Sequence, residues 1–106
     1  MPKYLFEVSY TAAGNKGVLA EGGNARVKSV REGIEKGGGK IESFYFAFGG
    51  TDAYIIAEHA DHASAASIAM RVGASGAATV RTVVLLTPEE VDAAAAREDE
   101  YHPPRG

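Results

Sequence analysis

The chain has 106 residues, 45% of them hydrophobic, a formal net charge of −3 and no cysteine. That is one domain's worth of chain, and it excludes disulfides and thiolate metal sites. No apolar run approaches the about 20 residues that span a bilayer, so a membrane protein is not expected. The charge is uneven. Residues 88–106 carry two basic side chains (Arg97, Arg105) and six acidic ones (Glu89, Glu90, Asp92, Glu98, Asp99, Glu100), a net of −4 that leaves the remaining body at +1. A near-neutral body offers no electrostatic attraction for nucleic acid or anionic lipid. The cysteine-free composition and the absence of a signal-like apolar segment predict a cytoplasmic protein.

Residues 3–10 alternate as a strand, with Tyr4, Phe6, Val8 and Tyr10 on one face and Lys3, Leu5, Glu7 and Ser9 on the other. Thr11 is a predicted N-cap of a short helix through Val18 and Leu19, weakened by Gly14 and Gly17. Gly22-Gly23-Asn24 breaks it and starts a second helix to about Lys36. There Val27, Val30 and Ile34 form an apolar stripe, with Arg26, Lys28, Arg31, Glu32 and Glu35 assigned to the other face. Gly37-Gly38-Gly39 ends it.

Residues 40–48 read as the strongest strand, with Phe44, Phe46 and Phe48 on one face and Ile41, Tyr45 and Ala47 opposite. A turn at Gly49-Gly50-Thr51-Asp52 leads into a strand from Ala53 to about Glu58. Asp61 caps a predicted helix from His62 to Arg71, built chiefly of alanine. Residues 79–86 form a fourth strand, with Val83 and Leu85 opposing Val80, Val84 and Leu86. Thr87, Pro88 and Glu90 signal a capping box for a last helix over about 89–97, and residues 98–106 are an expected disordered tail.

This order is β-α-β-β-α-β with an extra C-terminal helix, the ferredoxin-like arrangement of an α+β domain spanning residues 1–97. Its helices cover one face of the sheet. The strands here are apolar on both faces, so the second face needs a covering layer as well. Either a second subunit or the C-terminal helix supplies it. The helix offers only Val91 and alanines, which favours a second copy of the chain.

Three stretches resemble the GYD domain family. They are Tyr4 to Gly23, with Val8-Ser9-Tyr10-Thr11 and the run from Gly17 to Gly23; Phe44 to Tyr54; and Val84 to Glu90. The resemblance implies a dimeric α+β barrel and no particular activity. At the triplet that gives the family its name this chain reads Gly50-Thr51-Asp52, so the tyrosine is absent and Asp52 remains.

A dimeric barrel would gather Glu7, Ser9, Tyr45, Tyr54 and Arg81 around an enclosed space as a candidate pocket for a small organic ligand, or as a satisfied polar network between subunits. Asp52 is either a polar group at the mouth of that pocket or an Asx-turn residue, and His59 is a further candidate for the pocket. His59, Asp61 and His62 have a spacing that could hold a metal, but His59 falls at the strand end, so a capping Asp61 with an exposed His62 is the better account, and no metal or other cofactor is predicted. Gly22-Gly23-Asn24 lacks the phosphate-loop pattern, and the aromatic run at 44–48 lacks the basic positions of an RNA-binding sheet. Three functions remain open: a homo-oligomeric ligand-binding or accessory module, a small cofactor-independent enzyme of the monooxygenase or isomerase kind, or a regulatory sensor of amino acids or nucleotides. For the enzyme, Tyr45, Asp52, His59 and Arg81 are the candidate groups.

Overall fold

The computed structural model describes residues 1–105. Eight elements follow in chain order: β1 (Lys3–Tyr10), α1 (Ala12–Glu21), α2 (Gly23–Lys36), β2 (Lys40–Phe46), β3 (Ala53–Glu58), α3 (His62–Ala74), β4 (Ala78–Leu85) and α4 (Pro88–Ala95). The strands form one antiparallel sheet in the order β2-β3-β1-β4, with the first strand central, as the ferredoxin-like arrangement requires.

Local chemistry sets the element ends. The side chains of Thr11, Asp61 and Thr87 accept hydrogen bonds from the amides of Gly14, Ser64 and Glu90, and Glu90 returns a bond to complete the capping box. Gly22 has φ of +84°, a conformation that lets α1 stop and α2 start one residue later. Gly14 has a different role from the helix-weakening one expected. It is buried, and a Cβ there would lie 1.9 Å from the Ala77 carbonyl oxygen. The bare glycine lets α1 dock against the start of β4, where the Thr11 amide also donates to Ala77.

The core lies between the sheet and the helices. Tyr4, Phe6 and Val8 of β1 and Ala53, Ile55 and Ala57 of β3 meet Ile34 of α2 and Ala65 of α3. Small residues on β3 and α3 allow close approach, while Tyr4 and Phe6 on β1 bring the large side chains of the core.

The second strand departs from the simple alternation. A bulge between Ile41 and Ser43 inserts a residue, so Ile41 stands opposite Ala57 and Phe44 opposite Ile55. Ile41 therefore packs against the core with Phe44, not on the opposite face as the uninterrupted alternation implied. The strand also ends at Phe46, and Phe48 lies beyond it, 99% exposed.

The C-terminal helix leaves the other sheet face uncovered. No residue of α4 is buried, and it makes no extensive contact with another element. The radius of gyration is 16.7 Å, against about 13 Å for a compact chain of this length. Residues 98–105 have no regular structure and are exposed; the last residue of the expected tail, Gly106, lies outside the described residues. Among the described residues no helix is long and apolar enough to cross a membrane.

Candidate functional site

Strand pairing arranges the uncovered face in rows. Opposite residues on adjacent strands present side chains on the same face. Glu7 pairs with Tyr54 on one side and with Arg81 on the other, and Tyr45 pairs with Tyr54. Tyr45, Tyr54, Glu7 and Arg81 thus form one continuous row across all four strands. The neighbouring row is Ser43, Ile56, Leu5 and Val83, by the same pairings. The first row carries two phenols, a carboxylate and a guanidinium. The second is mainly aliphatic.

The polar row is available for contact. Tyr45 is 72% exposed and Tyr54 40%. Glu7 and Arg81 sit opposite each other, and among the described residues neither closes an ion pair. Ser9 stands one step further along β1, opposite Thr79, and its hydroxyl donates to the Gly50 carbonyl at 3.3 Å. At the opposite end Lys3 reaches Glu42 at 2.9 Å, an exposed pair placed by the bulge.

Two residues expected with this group have other positions. The Asp52 carboxylate accepts a hydrogen bond from the Tyr10 amide at 2.8 Å, while its own amide donates to Val8 and its carbonyl accepts from Ala47. Asp52 ties the β2–β3 turn to the end of β1, a tertiary link across 42 residues in place of the local Asx turn expected. His59 lies on the covered side of the sheet. It is 2% exposed, with its ring edge-on to Tyr4 at 5.7 Å and to Phe6 at 5.6 Å. Neither ring nitrogen has a partner, and burial pushes its pKa below 6.5. The imidazole is therefore neutral at physiological pH.

His62 does not join His59 as a ligand pair. A hydrogen bond of 2.6 Å links its Nδ1 to the Tyr4 hydroxyl. Asp61 is held below the usual carboxylate range by the amide and hydroxyl of Ser64, as expected of an N-cap. Among the described residues no three His, Asp or Glu side chains are grouped to hold a metal ion.

Arg26, expected on the solvent side, is half-buried. Arg26 turns toward the space between α2 and α3, and its Nε is buried without an acceptor. Its spacing from Val30 and Ile34, four residues each, is the signal that marks it as inward-facing.

The topology and the two-faced sheet define a small α+β domain of ferredoxin-like type. A family model described as the GYD domain matches residues 4–95, and the chain belongs to the GYD domain family. No curated protein and no solved structure matches it.

Proposed function

We propose that the protein is a homodimeric binding module in which the open sheet faces of two copies pack together and enclose a small organic ligand. The row Tyr45, Tyr54, Glu7 and Arg81 would line the enclosed space, and Leu5, Ile56 and Val83 would form the dry contact beside it. The observation that carries this reading is the uncovered face itself. It places an aliphatic row beside a polar row, and α4 does not reach it. An apolar face on an antiparallel sheet is stable against a second layer and unfavourable in water. Arg81 offers a fork that suits a carboxylate, and the two phenols can donate to a carbonyl. A cytoplasmic location is part of the same proposal and rests on the cysteine-free composition.

Enzymatic activity without a cofactor is the second reading, and it would draw on the same row. Glu7 facing Arg81 favours it, because the pair sets a carboxylate base beside a cationic anchor. His59 and Asp52 take no part in that reading, since one is in the core and the other ties a turn.

Sedimentation velocity tests the association. The expected species has about twice the 11.1 kDa chain mass, and Ile56→Arg converts it to monomer with the fold intact by circular dichroism. A wild-type chain that sediments as a monomer at all concentrations contradicts the proposal.

A further inference from the structure

A separate cavity lies on the other side of the sheet, between α2 and α3. It has a volume of about 410 Å³, within the range of small-ligand pockets. Its floor is Phe6, Val8 and Ile55 on the sheet, and its walls are Val30 of α2 and Val72 of α3. The helices meet the sheet without closing on each other over this stretch, where α3 is rich in alanine.

The charge of the lining is one-sided. Arg26 and Arg71 border the cavity, and no Asp or Glu among the described residues does. It adjoins a second cavity of about 440 Å³ past Ile34, Ile68 and Arg71, where Lys36 adds a third cation and again no carboxylate lines the wall. This is an unusual distribution for a chain with a net charge of −3.

Arg26 gives the site its polarity. Its Nη1 reaches Glu21 at 3.3 Å, but its Nε–H is removed from water and has no acceptor. That donor is out of reach of any group the size of water, so a ligand in the cavity would meet the outer edge of the guanidinium. Tyr10 lines the same cavity. Burial raises the pKa of its phenol, opposed by Arg26 and assisted by Asp52 and Glu21, so it stays protonated and able to donate. A cationic donor thus stands over an apolar basin.

We infer that the cavity between α2 and α3 binds an organic monocarboxylate with an apolar body, its carboxylate at the guanidinium of Arg26 and its body over Phe6, Val8 and Ile55. The site is distinct from the open face on which the dimer proposal rests, and the two stand or fall separately.

Octanoate and 1-octanol, which share an apolar chain and differ in charge, are the probes. Titration followed by amide and arginine Nε–Hε NMR signals gives both affinity and location. The expected result is saturable octanoate binding, with shifts at Arg26, Val30, Val72 and Ser75. Arg26→Gln weakens octanoate by about tenfold or more, as loss of a charge-assisted bond should, and leaves octanol unchanged. Val72→Trp, which fills the basin, weakens both probes. Octanoate that does not saturate, octanoate shifts confined to Leu5, Tyr54 and Val83 on the open face, or an Arg26→Gln affinity equal to wild type would each overturn the assignment.

Discussion

The two faces of the one sheet are built from the same strands and end in opposite states. On β1, Tyr4, Phe6 and Val8 are buried beneath helices, while Leu5, Glu7 and Ser9 between them remain half-exposed. On β3, Ala53, Ile55 and Ala57 are buried, and Tyr54 and Ile56 are not. A one-residue alternation separates a completed core from an uncovered surface. The covered face is completed within the chain. The open face carries enough apolar character to need a partner, together with charged groups that a simple core would exclude.

The largest difference is expected from truncating equivalent positions on the two faces. Phe6→Ala should destabilise the fold by about 3–5 kcal/mol, because it opens a cavity in the core. Leu5→Ala should cost less than about 1 kcal/mol in the monomer, and chiefly weaken association. Urea unfolding of both variants at several protein concentrations separates the effects: the Phe6→Ala loss persists at every concentration, and the Leu5→Ala loss grows as dimer accumulates.

A smaller effect compares two glycines on α1. Gly14→Ala should destabilise by about 1–3 kcal/mol, since its Cβ would collide with the Ala77 backbone. Gly17→Ala meets nothing within 4 Å and should stabilise the helix by up to about 1 kcal/mol. Thermal unfolding should move in opposite directions for the two. Equal shifts would mean that α1 does not dock against β4 as described.

The subtlest effect belongs to His59. Its folded pKa lies below the unfolded value of 6.5, so the unfolded chain binds the proton more readily. Stability should hold above pH 6.5 and fall as pH drops from there toward the folded pKa. His59→Leu should flatten that part of the stability–pH curve. An unchanged slope would place the titration elsewhere.

Much of the covered face was legible in the sequence, and the reasons are local. Thr11, Asp61 and Thr87 act on amides three residues away, so their capping roles follow from a short window. The alternation of β1 is uninterrupted and assigns its faces directly. The second strand departs from its alternation because a bulge reverses the parity at Glu42–Ser43, and a bulge depends on a pairing between strands that no single segment reveals.

Site residues divide the same way. Glu7, Tyr45, Tyr54 and Arg81 come together because their parity was readable, although the single row they form required the register of three strand pairs. Only its polar chemistry groups His59 with them. Its step of two from Ala53, Ile55 and Ala57 indicates the buried face instead. The charge of Arg26 suggests solvent in the same way, although it stands on the Val30 and Ile34 stripe. In both cases residue type outweighed periodicity, and the backbone geometry followed periodicity.

The central claim is that the open face pairs with a second copy of itself. An isotope-filtered NOE experiment on a mixture of 13C-labelled and unlabelled chains tests it most directly, because it detects only contacts between copies. The account predicts intermolecular NOEs to the methyl groups of Leu5, Ile56 and Val83. An absence of intermolecular NOEs at millimolar concentration, or NOEs confined to Leu19 and Phe48, would contradict it.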